Sequence, residues 1–140
     1  MGVDVGDFDN SGRAGVAITN FDNEMIGLYR ADASGNLSDI AVQSGVGLPS
    51  KTTLGFGCAF ADYDIDGSLD LIAVNGHIDD TVRNVRNVGY AQPPQLFLNL
   101  PHCQLLLVRT LRFSVMADQQ RLLSLLQVAL LRIAEQVPLL

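Results

Sequence analysis

The sequence predicts an all-β fold assembled from repeated units and followed by a tail of different character. Three observations carry that reading. Residues 2–20 (GVDVGDFDNSGRAGVAITN) align without a gap on residues 57–75 (GCAFADYDIDGSLDLIAVN). Short runs rich in Val, Ile and Phe alternate with clusters of Gly, Asn, Asp and Ser, the punctuation of strands and turns. Charge breaks near residue 100: residues 1–99 hold 13 Asp and Glu against 5 Lys and Arg, whereas residues 100–140 hold 2 against 4.

The repeat has a shift of 55 positions, with Asp7 on Asp62, Phe8 on Tyr63, Asp9 on Asp64, Gly12 on Gly67 and Asn20 on Asn75. A fainter second register sets LYRADASGNLSD against QLFLN. Each unit therefore reads strand, acidic loop, strand, variable connection, strand, turn, strand. The runs 16–19 and 71–74 are continuous and apolar, as in strands covered on both faces. ADASGN at 31–36 is a turn closing a hairpin between strands at 25–30 and 37–42. Pro93 and Pro94 suit the start of an edge strand leading into 96–99. About 55 residues and four short strands make one blade of a β-propeller, and propellers usually close with 4–8 blades. Fewer than two are present, so the expected fold is a partial β-propeller that needs further blades of a parent propeller.

The strongest chemical signal lies at 62–70, DYDIDGSLD. Asp62, Asp64 and Asp66 alternate, so a tightly coiled backbone turns them toward one point. Gly67 relieves the turn, and Asp70 returns a fourth carboxylate at loop position nine. The Ser68 carbonyl, at position seven, is a natural further ligand. Ca²⁺ takes roughly 6–8 oxygen ligands of these kinds. Two like charges about 4 Å apart cost roughly 1 kcal/mol in water and roughly 4 at a surface-like dielectric, and four carboxylates make six pairs. An EF-hand needs a Glu at position twelve and flanking helices; Ala73 stands there, within a strand-like run. The first loop, at 7–15, keeps Asp7 and Asp9, offers the Ser11 hydroxyl and the Arg13 carbonyl, and has Gly15 at position nine. It predicts a weaker calcium site or a cation-free turn.

Both loops, together with LGFGCAFADYDIDGSLDLIAVNGH, resemble the FG-GAP or VCBS-type repeats of ASPIC/UnbV-containing proteins, which include the cartilage acidic protein group. More distantly they are similar to the α-integrin propeller. The resemblance covers about residues 2–99. It implies a propeller of the seven-bladed type, Ca²⁺ as a structural ion, secreted, cell-surface or periplasmic placement, and a role in binding or adhesion toward a protein or glycan without catalysis. The family's ligand positions carry over to Asp62, Asp64, Asp66 and Asp70, and also to Asp7, Asp9 and Ser11. Gly15 departs from the family pattern.

The resemblance ends near Leu100, where LPHCQLLLVRTLRFSV replaces the expected turn and final strand. The Leu-rich tail, 100–140, is read either as the product of a shifted reading frame or truncated gene model, or as a helical appendage over 117–136 with a broad apolar face. Net charge is −6, which disfavours a nucleic-acid partner. No run reaches the 18 or so apolar residues of a membrane-spanning helix, and the opening MGVDVGDFDN lacks the features of a secretory signal. Cys58 and Cys103 make no disulfide framework, and Cys58 is expected to pack as a small apolar side chain. His77, beside Asp79 and Asp80, is expected in an exposed loop, with a second metal site as the competing reading. No nucleophile stands with an activating base, so an enzyme is not expected. A propeller forming a non-catalytic part of a larger enzyme, and a truncated fragment without function, stay open as alternatives.

Overall fold

The computed structural model describes residues 1–82, 88–100 and 104–110, the last three of these as backbone. These residues form two four-stranded antiparallel sheets and almost no helix. The first sheet takes β1 (Val3–Gly6), β2 (Gly15–Ile18), β3 (Gly27–Ala31) and β4 (Leu37–Asp39) in chain order. A single helical turn, α1 (Gly47–Ser50), leads to the second sheet, again in chain order: β5 (Gly55–Ala61), β6 (Asp70–Asn75), β7 (Gln95–Leu100) and β8 (Gln104–Thr110). The fourth strand of the second sheet thus comes from the segment whose composition sets it apart. Residues 83–87, 101–103 and 111–140 lie outside the described residues, and with them the helical reading of 117–136.

Side chains alternate across a strand, so register decides which residues share a face. Asp4 pairs with Ala17 and Ala17 with Leu28, a row that faces the second sheet. In the second sheet Leu71 pairs with Phe97, and this row, with Ala73 and Leu105, faces back. Ala17, Leu28, Leu71, Ala73, Phe97 and Leu105 are buried in one core with Phe8, Ile26, Ala41 and Val46. Burial of a Leu or Phe side chain contributes about 1.5–3 kcal/mol, so these two facing rows dominate the fold.

Polar bonds fix how the sheets meet. The Phe60 N–H donates to the Asp4 carboxylate at 2.7 Å, the Gly55 N–H to the Asn20 carbonyl at 3.0 Å and the Leu105 N–H to the Ser44 carbonyl at 2.7 Å. β1 approaches β5 so closely that a Cβ on Gly2 would lie 2.5 Å from the Gly57 Cα; only glycine allows that contact. The turn at 31–36 closes the β3–β4 hairpin: Asp32 accepts N–H bonds from Ser34 (2.8 Å) and Asn36 (2.9 Å), and Gly35 takes a left-handed φ of 83°. β4 stops at Asp39, short of the expected extent, because the chain turns inward to bury Ala41 and Val46. Ser50 then ties α1 to the first sheet by accepting the Ile26 N–H at 3.0 Å.

Candidate metal centre

The two acidic loops join β1 to β2 and β5 to β6, the first hairpin of each sheet. They trace the same curve. Asp7 accepts N–H bonds from Ser11 (2.9 Å) and Gly12 (2.7 Å); Asp62 accepts them from Asp66 (3.0 Å) and Gly67 (3.1 Å). Left-handed φ values recur at matching positions, 53° at Asn10 and 65° at Ile65, 76° at Gly12 and 90° at Gly67. The leading carboxylate thus folds the loop around itself through local bonds, which short Asp side chains make readily.

In the second loop this curve brings one carboxylate oxygen each of Asp62, Asp64 and Asp70 within 4.8 Å of one another. It is the only such acidic group among the described residues. Asp66 is not part of the trio, and its Oδ1 accepts the Ser68 N–H at 2.8 Å. Asp64 is exposed, Asp62 half-buried and Asp70 buried. Asp70 is held from two sides, accepting N–H bonds from Tyr63 (2.8 Å) and from Asn99 of β7 (2.8 Å). Burial pushes its carboxyl above the ordinary Asp range; the two N–H donors oppose this, and the Asp64 and Asp66 charges add to it. A carboxylate in this position is short of positive charge.

The first loop differs where it matters most. Gly15 stands opposite Asp70 in the repeat, and a Cβ there would lie 2.2 Å from the Phe8 Cε1 and 2.7 Å from the Tyr29 carbonyl oxygen. Phe8 has turned into the core, 1% exposed, and stacks on Phe60 with ring centroids 5.5 Å apart and planes 12° apart. Its counterpart Tyr63 points outward, 47% exposed. An aromatic ring therefore fills the space beside position nine of the first loop, where the second loop carries a carboxylate. Asp9 accepts the Ser11 N–H at 3.2 Å. Burial raises its carboxyl, but hydrogen bonding from Ser11 and the Arg13 charge outweigh that and leave it below the ordinary range. The Arg13 side chain reaches across to the Ala31 carbonyl at 3.0 Å.

The donor set suits a hard divalent cation, since every candidate atom is oxygen. Asp62, Asp64 and Asp70 would supply three carboxylates in the second loop; the Ser11 Oγ, with Asp7 and Asp9, would supply a leaner set in the first. Elsewhere, the His77 Nδ1 accepts the Asp79 N–H at 3.0 Å and its Nε2 lies 3.9 Å from the Asp22 carboxylate, so its ring braces the loop after β6. Cys58 is a half-buried free thiol whose Sγ lies 3.6 Å from the Ala17 carbonyl oxygen.

Asn99 was not a candidate from sequence, yet it joins both loops: its Nδ2 donates to the carbonyls of Phe8 and of Leu69 (3.1 Å) while its N–H holds Asp70. A signal for the loss at the first loop is present in the chain, because the change from Asp70 to Gly15 accompanies the change from Tyr63 to Phe8. No helix among the described residues is long and apolar enough to cross a membrane. A scan against protein families finds none that matches the chain, and a search of curated proteins returns no match.

Proposed function

We propose that this chain is a calcium-stabilised part of a β-propeller, of the FG-GAP/VCBS kind its loops resemble, and serves as a binding module outside the cytoplasm rather than as an enzyme. The observation that carries this reading is the convergence of Asp62, Asp64 and Asp70 within 4.8 Å. Three ionised carboxylates at that separation repel by about 1 kcal/mol per pair in water and about 3–4 at a surface-like dielectric. A doubly charged ion at their centre reverses the sign of that energy. The site is structural in this reading: the ion ties the β5–β6 hairpin to β7 through Asp70 and Asn99, and exposed loops beside it are left to meet a protein or glycan.

The first loop supports a second reading for itself alone. With Phe8 in the space beside position nine and Asp7 satisfied by two backbone amides, it holds its shape as a cation-free turn. Calorimetric titration of the metal-stripped chain with CaCl₂ tests both. One site per chain, lost in Asp62→Ala and retained in Asp9→Ala, is expected. Absence of heat and of any stabilisation by Ca²⁺ would remove the metal reading.

A further inference from the structure

We propose that Asn36 is an acceptor for an N-linked oligosaccharide, attached where the chain enters a compartment that holds an oligosaccharyltransferase. This rests on the placement outside the cytoplasm set out above and not on a bound metal. Asn36, Leu37 and Ser38 make the acceptor pattern: an asparagine, any residue but proline, then a serine or threonine. No other asparagine in the chain has a serine or threonine two positions on.

So short a pattern recurs by chance, and the fold decides whether it can be used. Every residue from Asp32 to Asp39 is exposed. On β3, Leu28 is fully buried, yet Arg30, on the same face, is exposed together with its β4 partner Ser38. The tip of the β3–β4 hairpin therefore projects past the core with both faces open. A bulky, solubilising sugar displaces no packed side chain there, and it would cover Leu37, which is 54% exposed. β4 is three residues long and none of them is buried. With so few buried contacts the acceptor segment lifts from β3 at little cost and can enter a transferase.

The product is compatible with the turn. The Asn36 Nδ2 donates to the Asp32 Oδ2 at 3.0 Å, a bond that uses one of its two hydrogens. In the transfer, the amide nitrogen bonds to the anomeric carbon of a lipid-diphosphate-linked oligosaccharide. The bond from that carbon to the diphosphate oxygen breaks, and the lipid diphosphate leaves with its electron pair. One amide hydrogen passes as a proton to a base of the transferase. One remains, which is the number that Asp32 uses. The bond from the Asn36 backbone N–H to Asp32, at 2.9 Å, is untouched.

Expression of the full chain behind a cleavable secretory signal in a eukaryotic cell line tests this, with a second acceptor peptide appended to its C-terminus to report entry into the lumen. Peptide mass spectrometry should find one oligosaccharide on Asn36 besides the reporter's, and N-glycosidase F should remove it and convert Asn36 to the acid. Asn36→Gln and Ser38→Ala should each lose that sugar, and Ser38→Thr should keep it. Ser38→Ala leaves Asn36 and both of its bonds to Asp32 in place, so its loss reads recognition and not the turn. A chain whose reporter is glycosylated while Asn36 is bare overturns the proposal, as does a sugar on Asn36 that persists in Ser38→Ala. Because the signal supplies the placement, a bare Asn36 is a failure of the site itself. It is distinct from finding the parent protein inside the cytoplasm, which would refute the placement.

Discussion

Replacing Gly15 with alanine should destabilise the chain, although alanine is the smallest side chain that can be added. The new Cβ would sit 2.2 Å from the Phe8 Cε1 and 2.7 Å from the Tyr29 carbonyl oxygen, where carbon atoms rest at about 3.5–4.0 Å. Neither neighbour yields easily. Phe8 is 1% exposed and stacked on Phe60, and Tyr29 is held in β3 opposite Val16. Overpacking of this kind costs about 1–3 kcal/mol, and a fixed backbone oxygen places the substitution toward the upper end. For a chain of this length that is a fall in melting temperature of roughly 6–12 °C, read by calorimetry and by urea titration. Adding Phe8→Leu should relieve the ring overlap but not the carbonyl contact. The double variant should therefore be more stable than the summed single effects predict, by about 1 kcal/mol. A Gly15→Ala chain melting within about 2 °C of wild type, or strict additivity in the cycle, would refute the placement of Phe8 beside position nine.

Other consequences are open to direct measurement. Ca²⁺ at about 100 times its dissociation constant should stabilise the chain by about 2.7 kcal/mol; Asp62→Ala or Asp64→Ala should remove most of that gain and Asp9→Ala little, and a melting curve unmoved by EGTA would contradict it. Asn99→Ala leaves two carbonyls and the link between loops without their donor, a loss of about 1–3 kcal/mol to be read as a lower urea midpoint with an unchanged slope. Asp32 is held below the ordinary Asp range, first by the Asn36 side chain and then by the Asn36 N–H. Its contribution to stability is thus present above the ordinary Asp value near 4 and is lost as pH falls through the lower folded value. An NMR titration midpoint at or above the ordinary value would show that the hairpin turn is not held this way.

Legibility followed the range of the interaction. The all-β class, the β3–β4 hairpin and the shared curve of the two acidic loops were readable because their determinants are local. Asp7 bonds to residues four and five positions on, as does Asp62, and Asp32 to residues two and four on. The helical turn at Gly47–Ser50 was not anticipated, because it is held from afar by Ser50 accepting the Ile26 N–H. The role of Asn99 was hidden for the same reason, since its partner Phe8 is 91 positions away.

By itself the sequence determined the repeat, the punctuation between strands and the alternation of carboxylates that can converge on a point, since each depends on neighbours along the chain and on backbone freedom at a few glycines. Only the tertiary structure decided that Phe8 turns inward while Tyr63 turns out, that Asp70 is buried between two backbone donors, and which face of each sheet meets the other. Those outcomes depend on what lies across the core, and two loops of the same backbone curve take different roles when one meets Phe60 and the other meets solvent.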